Sequence, residues 1–415
     1  MTRINSTAFR SYSQLALIVV AAGAIYPLLY LRQNFELSIL ESFNITQTQL
    51  RYCSSMLGVI FMLTYIPSGG LADRFSSRKL LCFSLLATAL LGLWFSTMPS
   101  YSALIVIYGA WGIATGLTFW SAHIKIVAML ADKDQQGRFF GILDGGRGLI
   151  EALLATAAVA LFAYILSQDP DSTKMALQQV IYLYVGVLLI VSILVYWLLD
   201  DLEASKGVID DNTKSVLFDD LKDVLSRREI WLCAICIVCG YQIFYATYSF
   251  SAFLQQNFNL TAVMVGYITV AKLWMRPIGG MAAGFIGDWA DPQKVLSILL
   301  VLASLSLALM ALVPANSAAL LMILIVLLIG LLSYGVRGLY WATLGRCDVP
   351  NKIKGLAIGI ISMIGYFPEV YLPLLSASLI EQYPSGDGYK IYYLIVSSAG
   401  LLGAYAAYLL SKAKR

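Results

Sequence analysis

The chain has 415 residues, of which 59% are hydrophobic and 13% charged, with a net charge of +4 and a mean hydropathy of +0.77. A water-soluble domain carries about 25% charged residues, so a sizeable soluble catalytic or nucleic-acid-binding domain is excluded. A chain this apolar belongs in a bilayer.

Apolar segments recur at 15–31, 49–67, 80–97, 101–130, 137–166, 177–199, 230–254, 261–285, 295–313, 318–344, 356–380 and 392–410. Each is long enough to cross about 30 Å of hydrocarbon as a helix, which predicts twelve spans. The first follows Arg3 and Arg10 as a signal sequence would, yet it runs on into Tyr30 and Leu31 with no small-residue cleavage site. It therefore reads as a retained span. The Lys and Arg of the connecting segments fall almost entirely on one side, leaving Lys174 and Lys390 on the other. The positive-inside rule then predicts cytoplasmic N- and C-termini, and a multi-pass protein of the cytoplasmic (inner) membrane. Topology accounts for the basic balance, and no nucleic-acid partner is expected.

Cys233, Cys236 and Cys239 form a C-x-x-C-x-x-C run, but inside an apolar span cysteine packs as a small hydrophobe. His123 is the only histidine. That excludes a histidine-rich metal site, and a lone histidine reads as a packed or hydrogen-bonded residue. No G-x-x-x-x-G-K-[ST] loop is present, so an ion or solute gradient must supply any energy. No metal, cofactor or enzymatic constellation is expected.

The polar stretch 200–228 divides a six-span half, 1–199, from a second, 229–415. Within it Leu217, Leu221, Val224 and Leu225 have helical spacing, which predicts an amphipathic helix on the cytoplasmic surface. The halves also resemble each other. Phe43-Asn44-Ile45-Thr46 recurs as Phe258-Asn259-Leu260-Thr261, and the same offset of 215 carries Tyr26 to Tyr241, Tyr30 to Tyr245, Gly69 to Gly284 and Asp73 to Asp288. Gly137, Gly141 and Glu151 fall on Gly355, Gly359 and Glu369 at an offset of 218. Asn44 and Asn259 are read as caps of the helices that follow them. Parallel six-span repeats around a central cavity are a transporter architecture, with the solute site near mid-membrane.

Between the second and third spans the chain reads Gly69-Gly70-Leu71-Ala72-Asp73-Arg74-Phe75-Ser76-Ser77-Arg78-Lys79. This resembles the G-x-x-x-D-R-x-x-G-R-K signature of the major facilitator superfamily, with Ser77 where glycine is usual. A second, degenerate copy ends in Gly287-Asp288-Trp289. The resemblance covers essentially the whole chain and implies an all-α membrane fold of twelve transmembrane helices in two pseudo-symmetric six-helix halves. It also implies a conformational latch at Gly69, Asp73, Arg74, Arg78 and Asp288. Tyr30-Leu31-Arg32-Gln33-Asn34-Phe35 further resembles the Y-x-x-R-x-N-F segment of the organophosphate antiporter branch, which includes glycerol-3-phosphate transporters and YihN-like proteins, with the tyrosine two rather than three residues before the arginine. That resemblance implies that Arg32 binds an anionic group. A substrate-binding histidine of the branch falls on Arg147, and its partner arginine falls on Phe244, so a two-arginine phosphate clamp is missing.

A charge at mid-span costs about 2.5–3.5 kcal/mol, so such groups face a cavity or a partner. Asp144, Arg147 and Glu151 share one helical face and can form a ladder of alternating sign. Glu151 and Glu369 occupy equivalent repeat positions, and with Asp144 they are the expected proton-coupling carboxylates. Lys272 lies deep in the eighth span, whereas Arg276 is near enough to its end to snorkel. Tyr26, Tyr30, Tyr241 and Tyr245 form i, i+4 pairs that offer rings and hydroxyls to an organic solute. With Arg32, Arg147 and Lys272 they make the expected substrate-binding set. The function expected is a monomeric secondary active transporter moving a small organic anion or zwitterion by alternating access, coupled to protons or a counter-solute. An organophosphate/phosphate-type antiporter and a transporter-like solute sensor are the alternatives.

Overall fold

The computed structural model describes residues 2–130, 136–201, 217–314, 319–346, 354–383 and 386–412. Lipid offers backbone amides no partner and a helix satisfies them internally. Among the described residues every regular element is accordingly helical.

Two compact units divide the chain at Met1–Val208 and Ile209–Arg415. In the first, α1 (Thr2–Ala24) and α2 (Arg32–Phe43) form a broken first span, followed by α3 (Gln47–Arg74) and α4 (Ser77–Ser96). The fourth span is α5 (Tyr101–Gly112) and α6 (Trp120–Leu130) around a π-helical turn at Ile113–Leu117, and α7 (Gln136–Gln168) and α8 (Thr173–Leu198) complete the unit. The second unit opens with the short helix α9 (Leu217–Ser226), where an amphipathic helix is expected. Its first span is α10 (Arg228–Ala246) and α11 (Phe250–Phe258) around a 3-10 turn at Thr247–Ser249. Then come α12 (Ala262–Trp289), α13 (Pro292–Leu312), α14 (Ala319–Tyr340), α15 (Lys354–Gly365) with α16 (Pro368–Gln382), and α17 (Asp387–Lys412). Each unit thus holds six spans. Nine of them, among the described residues, are helical runs long and apolar enough to cross a membrane by composition alone. The other three, α1–α2, α3 and α12, include the helices that carry the buried charges Arg32, Glu36, Arg51, Lys272 and Arg276.

Two expectations are corrected. The first span does not end at Leu31. The chain leaves the α-helix after Ala24, turns, and resumes as α2 to Phe43, with Arg32, Gln33, Asn34 and Glu36 buried. Hydropathy ends the span early because it counts these polar groups as surface, whereas Glu36 is met inside the unit by Arg51 and Gln47 of the next helix. Asn44 and Asn259 do not cap the following helices. Both adopt the left-handed conformation (φ 51° and 52°) that terminates α2 and α11, a role asparagine tolerates better than most residues. The caps are Thr46, which accepts from the Gln49 amide, and Thr261, which accepts from the Met264 amide, each at 3.2 Å.

Within each unit the helices close up through small residues, since lipid tails give no hydrophobic reason for helices to associate. The tightest crossing is α12 on α14. A Cβ at Gly338 would lie 3.0 Å from the Gly280 carbonyl oxygen, and one at Gly279 would overlap the Leu331 backbone. In the first unit a Cβ at Gly146 would lie 2.6 Å from Val19 Cγ1, so α7 lies directly against α1.

Candidate functional site

The break in the first span places Arg32 at the start of α2. One turn later the helix is kinked at Phe35 (φ −131°, ψ 32°), whose ring packs on Phe162 of α7 at 4.9 Å. Arg32 Nη1 lies 3.9 Å from Glu36 Oε2, and Glu36 Oε1 is 2.6 Å from Arg51 Nη2 of α3 and accepts from Gln47 Nε2 at 3.0 Å. Glu36 is 0%, Arg51 1% and Arg32 2% exposed. This cluster ties α2 to the first turns of α3. Of its members sequence reasoning found Arg32 alone. A signal for the others exists, because the repeat offset carries Glu36 to Ser251 and Arg51 to Gly266, so the charges break the internal symmetry.

The second group of the first unit joins α1–α2 to α7. Tyr26 and Tyr30 lie in the break rather than in a regular helix, yet the Tyr30 amide still donates to the Tyr26 carbonyl and their rings stand 6.4 Å apart. The Arg147 guanidinium lies over the Tyr26 ring at 4.3 Å, and its Nε donates to Glu151 Oε1 at 2.9 Å. Arg147 and Glu151 therefore meet as expected from their spacing, about one-sixth exposed. Asp144 is exposed on the same helix.

In the second unit the corresponding tyrosine and carboxylate meet directly, the Tyr241 hydroxyl donating to Glu369 Oε1. The position equivalent to Arg147 is Gly365, where a Cβ would lie 2.5 Å from Ile237 Cγ2, so α15 packs on α10 with no room for a side chain. Pro368 starts α16 where its missing amide costs nothing, and Glu369 occupies the first turn, where the helix dipole favours a carboxylate. Beside this pair Tyr371 donates to Gln242 Oε1 at 2.7 Å. Tyr245 is buried 6.2 Å from Tyr241, ring to ring. A cation does reach the Tyr241 region, but from α14. The Arg337 guanidinium stands 4.1 Å from the Phe244 ring and 5.8 Å from that of Tyr241.

Lys272 of α12 is fully buried and donates to Thr247 Oγ1 at 2.9 Å, with the Tyr248 and Phe250 rings at 5.9 and 5.8 Å. Thr247 begins the 3-10 break of its span, and the repeat offset of 215 equates it with Arg32. Each unit therefore holds a cation at the break of its first span, one carried by that span and one delivered to it. The stem of Lys272 is seated against Gly330, where a Cβ would lie 2.6 Å from Lys272 Cγ. Arg276 does not snorkel. It is 5% exposed, with Tyr334 as a ring neighbour at 5.9 Å.

Of the expected latch, Gly69 sits on α3 with open space around its Cα, and Arg78 bonds the α8 end, donating to the Leu199 carbonyl at 3.3 Å and to Asp201 Oδ2 at 3.5 Å. Ser76 reaches the same Asp201 oxygen at 3.0 Å, and Arg10 forms a two-point pair with Asp200 at 2.7 and 2.8 Å. The side chains of Asp73, Arg74 and Asp288, and all of Cys347, lie outside the described residues. Lys125 donates to the Ala72 carbonyl at 2.6 Å, at the C-terminal turn of α3. His123 is packed on Phe119 at 4.9 Å, with Nδ1 3.0 Å from that residue's carbonyl oxygen. Cys233, Cys236 and Cys239 are buried, the first against Thr343 and the second toward the Gly403 carbonyl. No group of metal-ligating side chains occurs among the described residues.

A two-unit, twelve-span fold with buried charges at helix breaks defines a membrane transporter, and the comparisons agree. Residues 15–373 match the Major Facilitator Superfamily model, and the chain belongs to that family. It is 28% identical over 403 residues to the inner membrane protein YqcE of Escherichia coli (strain K12), covering 95% of this chain and 93% of YqcE. It is 26% identical to the inner membrane protein YihN of the same organism, covering 97% and 96%. Its fold is similar to that of a bacterial homologue of the human lysosomal transporter Spinster, with a TM-score of 0.76 at 12% identity and 97% coverage of both chains. The protein is a multi-pass membrane protein and a secondary transporter of a small-molecule solute, not an enzyme.

Proposed function

We propose that the protein moves a small organic anion or zwitterion across the cytoplasmic membrane by alternating access, driven by protons, as a monomer with both termini in the cytoplasm. The observation that carries this reading is the pair of buried cations at equivalent helix breaks, Arg32 in one unit and Lys272 at Thr247 in the other. An ionisable side chain buried within a membrane-spanning segment marks a solute or ion pathway, and a solute anion is the ligand that cations at these breaks suit.

Arg32, Arg147 and Lys272 are assigned to the anionic group of the solute, and Tyr26, Tyr30, Tyr241 and Tyr245 to its organic body. Glu151 and Glu369 take up and release the coupling proton, their partners in the resting protein being Arg147 and Tyr241. Asp144 is assigned a supporting part in that relay. Gly69, Asp73, Arg74, Arg78 and Asp288 form the latch, for which the Arg78–Asp201 contact is the structural support. The test is a thermal-shift screen of organic acids, sugar phosphates, amino acids and nucleosides on the purified protein. One acid or zwitterion should stabilise the wild type and lose that effect in Arg32→Ala and Arg147→Ala. Equal stabilisation of all three proteins by the best solute would contradict the assignment.

A further inference from the structure

Gln242 follows Tyr241 on α10 and is 3% exposed. Tyr371 of α16 donates to its Oε1 at 2.7 Å, while its Nε2 is buried and has no partner among the described residues. A carboxamide carries two N–H donors on that nitrogen. A buried donor left unpaired forfeits its hydration with nothing in return, and native proteins keep few such groups. The shared scaffold gives no reason for this one. Offsets of 215 and 218 carry Gln242 to Pro27 and Tyr371 to Leu153, so the first unit has neither half of the pair.

The surroundings define what the donor suits. Tyr241 holds Glu369, which lies two residues before Tyr371 in the same turn of α16. A carboxylate in that turn repels a second carboxylate or a carbonyl oxygen brought to the amide. A hydroxyl oxygen accepts from the amide and turns its own proton toward an acceptor, so it meets both. The rings of Tyr241 and Tyr245, 6.2 Å apart, offer flat apolar faces to the carbon chain that bears it.

We propose that Gln242 is a solute-binding residue that donates to a hydroxyl of the solute, which makes the solute a hydroxylated organic acid rather than an unsubstituted one. This rests on the reading of the protein as an organic-anion carrier. Tyr371 fixes the oxygen end of the amide and so orients its N–H2 group. A solute without the hydroxyl leaves that donor unpaired, and a site built to hydrogen-bond a hydroxyl discriminates strongly against the analogue that lacks it.

The experiment titrates the purified full-length protein by thermal shift at about pH 7 with gluconate and hexanoate, six-carbon monocarboxylates of equal charge that differ in their hydroxyls. Wild type should bind gluconate more tightly. Gln242→Met should raise the apparent Kd for gluconate about tenfold or more and leave that for hexanoate within about twofold. Gln242→Met/Tyr371→Phe removes both partners, leaves no phenol without its acceptor, and should show the same selective loss even if the single variant does not fold. A purely structural amide would shift the Tm of the ligand-free variants and leave the ratio of the two Kd values as in wild type, and that result overturns the proposal. Stabilisation of wild type by hexanoate as strong as by gluconate, or stronger, overturns it while keeping the anion reading. Stabilisation by neither probe overturns both.

Discussion

The Tyr241 hydroxyl donates to Glu369 and so ties α10 to α16, whereas its first-unit counterpart Tyr26 meets Arg147, which in turn holds Glu151. The two units thus seat equivalent carboxylates with different partners, a phenol in one and a guanidinium in the other. Gly365, packed against Ile237, is the reason the arginine has no copy.

Tyr241→Phe removes a buried hydrogen bond to a carboxylate, worth about 1.5–3 kcal/mol. A matching fall in Tm is expected. Glu369→Gln keeps an acceptor for the phenol and should lose less, while removing the proton site. Thermal unfolding of the two variants beside wild type checks the order.

Arg51→Met leaves Glu36 buried without its 2.6 Å partner, which should cost about 3–5 kcal/mol. Glu36→Met/Arg51→Met should recover most of that loss, because an apolar pair carries no desolvation penalty. Folded yield and thermal unfolding of the single and double variants give the measurement.

Gly330→Ala puts a methyl group 2.6 Å from Lys272 Cγ, and α14 cannot withdraw far where it crosses α12 through Gly279 and Gly338. The lysine should be displaced from Thr247, at a cost of about 1–3 kcal/mol for the overpacking. Solute stabilisation should fall as far as in Lys272→Ala. Retention of full solute binding would show that the lysine head has another way to its place.

Arg78 and Asp201 are partly exposed and 3.5 Å apart, a contact worth at most about 1 kcal/mol. Arg78→Ala should therefore leave Tm nearly unchanged. A several-fold loss of transport in the same variant is the expected sign of a latch, and parallel assays of Tm and uptake separate the two effects.

The spans and the repeat were legible because apolar length and self-similarity are local properties. Arg147 with Glu151 was legible from helical spacing alone. The buried end of the first span was not, because Arg32, Gln33, Asn34 and Glu36 look like surface until Arg51, from the next helix, is placed beside them. Lys272 was found by depth, but its seat at Thr247 depends on a crossing of helices that no linear pattern records. The sequence reading of Asn44 and Asn259 as N-caps of the following helices fails, since asparagine serves equally as a left-handed terminator of the preceding one.

The most direct measurement is transport in proteoliposomes of the solute that best stabilises the wild type, with counterflow and accumulation driven by an imposed pH gradient read side by side. Wild type should show both. Glu369→Gln and Glu151→Gln should keep counterflow and lose gradient-driven accumulation. Undiminished accumulation in both variants would contradict proton coupling through these carboxylates, and absence of counterflow in wild type would contradict transport of that solute.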